Sequence, residues 1–133
     1  MSIHKGRIMG QMAVGLVLLA AGGLCYVLYR PATLLHHLWP WPVPPRAVAP
    51  ALEPLVYSVP GGLWSAAFIM MSDALWRGEL PGRRLLLASM IPAMGILSEL
   101  MQAVGWLPGV ADPVDALCYM LPLAIYALIL IKN

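Results

Sequence analysis

Charge is scarce in this chain. Only 11% of its 133 residues are charged, whereas 61% are hydrophobic; ordinary soluble domains carry about a quarter charged residues. A water-soluble fold of this length keeps much of its surface exposed and has nowhere to hide so much apolar side chain. The net charge is +2, and no basic stripe exists for phosphates to follow, which excludes nucleic acid as a partner. Cysteine is equally sparse. Cys25 and Cys118 are too few for a disulfide framework, and buried thiols in apolar runs usually behave as small hydrophobes. No Cys/His cluster with zinc spacing occurs, so neither a metal nor another cofactor is expected. A cleavage site is missing too. The first apolar run, 9–29, is longer than the roughly 7–15 residues of a signal-peptide core, and Leu24 precedes Cys25 where a lipoprotein site needs a small residue. The run reads as a retained first helix. The length suits one domain, with no room for a separate catalytic module outside a bilayer.

What is present is four apolar runs, at 9–29, 55–76, 85–106 and 116–131. A helix needs about 20 residues to cross the hydrocarbon core; the first three meet this and the fourth is slightly short. Lipid offers no partners to backbone polar groups, so each run must satisfy its own as a helix. The alternating segments of a barrel are absent. With the N-terminus inside, Lys5, Arg7, Arg77, Arg83, Arg84 and Lys132 fall on the inner side and only Arg30 and Arg46 on the outer, the bias expected of cytoplasmic loops. The expectation is therefore an all-α polytopic membrane protein: a single transmembrane domain over 1–133 with four transmembrane helices and both termini cytoplasmic.

The outer loop, 30–54, carries seven prolines: Pro31, Pro40, Pro42, Pro44, Pro45, Pro50 and Pro54. Such density favours an extended, stiff path. Trp39 and Trp41 prefer the headgroup zone, so the loop reads as interfacial; His36 and His37, with no carboxylate nearby in sequence, are weak as metal ligands or proton carriers. The inner loop, 78–82, is short and makes helices two and three a hairpin. Arg77, Arg83 and Arg84 there can meet anionic lipid heads. Asp73, four residues before Arg77, can pair with it on one helix face and reads as structural.

Chemistry, if any, concentrates at the outer side. Glu99 is fifteenth in the third run and lies within the hydrocarbon zone, where a carboxylate costs about 2.5–3.5 kcal/mol or more. Gln102 follows at i+3 and shares its face. Two readings carry equal weight: a functional carboxylate, or a Glu/Gln pair joining helices by hydrogen bonds. Beyond them, Pro108 and Gly109 favour a turn. Asp112 reads as a turn residue bonding its own backbone, and Asp115 as the N-cap of helix four. Glu99, Asp112 and Asp115 nonetheless converge on one side, which is how an acid/base or cation site is built. Residues 57–64, with Pro60, Gly61 and Gly62, read either as a re-entrant stretch facing those carboxylates or, preferably, as a plain helix start.

Ser98-Glu99-Leu100-Met101-Gln102, then Leu107-Pro108-Gly109, then Asp112 and Asp115, and Tyr119 four residues on, together resemble the C-terminal signature of the VanZ-like family of small bacterial membrane proteins. Pro60-Gly61-Gly62-Leu63-Trp64 is similar to the start of that family's second helix. The likeness covers 59–119 and departs from the pattern at Val110-Ala111, where Thr-Phe is expected. It implies a multi-pass protein of the bacterial inner (cytoplasmic) membrane, acting at the cell envelope, with an outward-facing acidic site. On that reading Gln102, Asp115, Tyr119 and Trp64 bind a lipid-linked or amphiphilic ligand. If the protein is an enzyme, Glu99 carries the proton and Asp112 orients it or a cation. Two other functions suit the same sequence: an accessory subunit of a larger membrane complex, and a small oligomeric ion or proton pathway with Glu99 as its titrating group. Membrane lipids are the expected partners in each case, with other membrane subunits or further copies of the chain as the remaining candidates.

Overall fold

Four helices account for most of the described chain. The computed structural model describes residues 2–30 and 46–132; His36, His37, Trp39, Trp41 and most of the proline-rich loop lie outside them. The helices are α1 (Ser2–Tyr29), α2 (Glu53–Leu75), α3 (Pro81–Ala103) and α4 (Pro113–Lys132). Each is long and apolar enough to cross a membrane. The chain thus has the architecture of a multi-pass membrane protein.

Local chemistry sets the helix ends, and it moves several of them from where the apolar runs begin and stop. α3 ends at Ala103 rather than at residue 106. Gly105 takes φ +76, a left-handed conformation that costs glycine little. Its N–H donates to the Gln102 carbonyl at 3.1 Å and the Trp106 N–H to the Met101 carbonyl at 2.8 Å, the paired bonds of a Schellman stop. α4 begins at Pro113, three residues before its apolar run. The cap is Asp112, whose Oδ1 accepts the Val114 N–H at 2.8 Å, and Pro113 occupies the first turn, where its missing N–H costs nothing. Asp115, expected as the cap, sits within the first turn. Asp112→Ala therefore removes a cap and should lower stability in detergent by about 1 kcal/mol, whereas Asp112→Asn should stay near wild type; equal stability of the Ala variant on a denaturant titration would contradict the assignment. Pro60 lies seven residues inside an unbroken α2, so 57–64 is neither re-entrant nor a helix start.

α2 is the hub. It packs against each of the other helices, α3 and α4 also pack on each other, and α1 rests chiefly on α2. Because the helices alternate in direction, both termini and the α2–α3 turn share one end, here the terminal end; the α3–α4 loop marks the distal end. α2 and α4 run parallel, since Ser65 Oγ donates to the Tyr119 carbonyl at 3.0 Å and the Tyr126 hydroxyl reaches Asp73 at 2.6 Å, nearly the same sequence offset. Ser58, Ser65 and Ser72 are all buried and recur every seven residues on α2, the small side chains that let helices approach closely in lipid. The buried apolar core is slight: Ala67, Ile69, Ala74, Ala88 and Tyr126. Large hydrophobics such as Leu16, Leu86, Leu97, Leu121 and Leu128 point outward, as they do when lipid is the solvent.

Asp73 holds the terminal end together. It is 8% exposed and receives bonds from three other helices. Gln11 Nε2 on α1 donates to Oδ2 at 2.9 Å; Arg84 on α3 donates to Oδ1 through Nε at 3.1 Å and through Nη2; Tyr126 on α4 donates to Oδ1. Arg77, the partner expected from spacing, stands farther off at 3.8 Å and donates to Gln11 Oε1. Arg84 is thus committed to Asp73 and Arg83 to Glu79, at 2.9 Å.

Candidate functional site: a polar cavity at the distal end

The distal end holds a cavity of about 390 Å³ to which all four helices contribute. α1 supplies Tyr26, with Arg30 just past its end, α2 supplies Tyr57 and Trp64, α3 supplies Ser98, Glu99 and Gln102, and α4 supplies Asp115 and Tyr119. Gly109 and Val110 close it from the α3–α4 loop. Five of the residues singled out from sequence (Glu99, Gln102, Asp115, Tyr119 and Trp64) thus face one space. Asp112 does not line it. Its carboxylate caps α4, while its backbone N–H donates to Glu99 Oε2 at 3.0 Å, so it fixes the Glu99 carboxylate by its amide rather than by its charge.

Glycine makes room for the aromatic walls. The Tyr119 ring slots between α2 and α3: a Cβ on Gly61 would lie 3.0 Å from its Cζ, and one on Gly95 only 2.7 Å from Cδ1 and Cε1. Any side chain at Gly95 would drive the ring out of that slot. Trp64 occupies a like notch against Gly22 of α1, where a Cβ would come within 2.7 Å of the indole. These contacts give α1 its place on α2 without a strict G-x-x-x-G spacing.

Arg30, expected only to lie on the outer side, and Tyr26 were not among the site residues read from sequence, yet they complete the site. Arg30 Nη2 lies 3.7 Å from Asp115 Oδ2, and its guanidinium sits 5.5 Å from the Tyr26 ring centroid, within cation–π range. Tyr26 and Trp64 meet with centroids 5.4 Å apart, tilted by 48°. The signal for Arg30 was its departure, shared with Arg46, from the inner-side bias of the other cations. Glu99 has no cationic partner among the described residues, since the ion pairs there join Arg30–Asp115, Arg77–Asp73, Arg83–Glu79 and Arg84–Asp73. Cys118, beside Tyr119, is a free thiol, as is Cys25.

The fold and cavity define a class: a small multi-pass helical protein with a polar chamber set into one end of an apolar bundle. No family model, curated protein or solved structure matches the chain, so the likeness to the VanZ-like proteins rests on the residues quoted for it.

Proposed function

We propose that this chain is a VanZ-like protein of the bacterial inner membrane, with both termini in the cytoplasm and the distal cavity opening to the outer leaflet. There it binds the polar part of a lipid-linked or amphiphilic ligand. The observation that carries the reading is the cavity itself. A bundle with few charges spends Arg30, Glu99 and Asp115 on one chamber, beside the Gln102 amide, and ionisable groups at membrane depth are costly enough to mark function. The positive-inside bias supports the orientation.

Two measurements test this. A Val110→Cys substitution, in a background with Cys25 and Cys118 replaced by alanine, should react with a membrane-impermeant maleimide in intact spheroplasts; reaction only after permeabilisation would reverse the orientation. A photo-reactive amino acid at Val110 should capture an amphiphile visible as a mass adduct. The yield should fall about tenfold in Glu99→Gln, the scale of one charged hydrogen bond lost. An unchanged yield would remove Glu99 from the site.

A further inference from the structure

The charges in the cavity do not balance, and the imbalance points to the chemistry of the ligand. Arg30 and Asp115 pair with each other at 3.7 Å. That leaves Glu99 as the one carboxylate of the chamber without a cation among the described residues, held in place by the Asp112 N–H. A lone carboxylate among membrane helices is expensive unless something positive meets it. The walls that face it are aromatic: Tyr26, Tyr57, Trp64 and Tyr119. Ring faces attract organic cations, and rings grouped with a carboxylate form the usual cage for an ammonium group. The protein already uses one of these rings in this way, with Arg30 over Tyr26 at 5.5 Å.

Other ligand classes fit less well. A free anion would face two carboxylates and one arginine that is already paired. A metal ion would need several ligating side chains drawn together, and no group of three His, Cys, Asp or Glu side chains stands close enough among the described residues. Size also decides: about 390 Å³ lies near the small end of ligand pockets, roughly 300–1,000 Å³, and suits a compact head group better than a long glycan.

We infer that the distal cavity is a receptor for an organic ammonium head group on a membrane amphiphile. The ammonium sits against Glu99 and the rings of Trp64 and Tyr119. The inference rests on the reading of the cavity as a head-group site and adds the sign and kind of charge it selects.

The test uses the full chain in nanodiscs of phosphatidylethanolamine and phosphatidylglycerol, equimolar and with matched acyl chains. Lipid retained on gentle release is counted by native mass spectrometry. The wild type should retain the ammonium lipid over phosphatidylglycerol by about tenfold, the scale of a carboxylate and cation–π contact together. Glu99→Gln should abolish the preference and Trp64→Leu should weaken it. Glu79→Gln, whose side chain pairs with Arg83 at the terminal end, should leave it intact. A preference that persists in Glu99→Gln, or retention of both lipids alike by wild type, overturns the ammonium inference while the cavity stands as a lipid site. If wild type retains no lipid at all, the head-group reading of the cavity fails with it. Folding of each variant is checked by its elution as a single species and by its helical circular dichroism.

Discussion

Asp73→Ala should be the most damaging single substitution in the bundle. Asp73 accepts hydrogen bonds from Gln11, Arg84 and Tyr126, and so ties α1, α3 and α4 to α2 at one level. Removing it leaves the buried Tyr126 hydroxyl and the partly buried Arg84 guanidinium without that acceptor. Breaking a fully buried ion pair from one side costs about 3–5 kcal/mol; with the Arg84 side chain 21% exposed, the loss should sit at the low end, about 3 kcal/mol. Asp73→Asn keeps acceptor capacity for Gln11 and Tyr126 but loses the charge, and should fall between wild type and alanine. The pairing has a sharper consequence. Arg84→Met in the Asp73→Ala background removes the stranded cation, so the double variant should be more stable than Asp73→Ala alone. Titration with a denaturing detergent from mild micelles, followed by circular dichroism, measures these forms together with Arg84→Met alone, which completes the cycle. Additive losses would show that Asp73 and Arg84 act independently, against the geometry.

That cluster also shows where sequence reasoning stops. Asp73 and Arg77 lie four residues apart, and helical spacing pairs them without any knowledge of the fold. Arg84 is eleven residues away across a turn and Tyr126 fifty-three away on another helix; no local rule reaches them. Once Arg84 is drawn inward to Asp73, it is no longer a free lipid anchor. The four helices were legible because apolar runs of spanning length have few alternatives in lipid. Their ends were less so, because hydropathy is blind to a cap. Val104 and Trp106 are apolar, yet Gly105 has already turned the chain out of α3; Asp112 and Pro113 are polar or rigid, yet they start α4.

The distal cavity divides the same way. Glu99, Gln102 and Asp115 stand out in any apolar sequence, and the short loop between their helices forces them together. Trp64 and Tyr119 came from a pattern of residues rather than from periodicity. Tyr26 comes from α1 and Arg30 from just past its end, and the whole of α2 separates them in sequence from α3 and α4. Their place depends on how closely α1 seats on α2, and that is decided by small residues at Gly15 and Gly22, whose spacing matches no standard motif.

Gly95→Ala should cripple the cavity although it adds a single methyl group. The new Cβ would lie 2.7 Å from Tyr119 Cδ1 and Cε1, well inside contact distance, so the ring must move. It cannot retreat across the slot, because Gly61 of α2 already stands against its other side, where a Cβ would be 3.0 Å from Cζ. Nor can the Tyr119 backbone slide freely, since its carbonyl accepts Ser65 Oγ at 3.0 Å. The strain must therefore part α2 from α3 or rotate the ring into the chamber. Overpacking of this kind costs about 1–3 kcal/mol, and either outcome deforms the walls that carry Glu99 and Trp64. Two results are expected together: a loss of stability of that size, and a loss of amphiphile capture at Val110 comparable to that of Glu99→Gln. Trimming the ring provides the control. Tyr119→Val leaves a gap in the wild type, yet in the Gly95→Ala background it relieves the clash, so stability should recover while capture stays low for want of the aromatic wall. Recovery of stability without recovery of capture would separate the packing role of Tyr119 from its role in the chamber. A Gly95→Ala protein as stable and as competent as wild type would show that Tyr119 does not occupy the slot between α2 and α3.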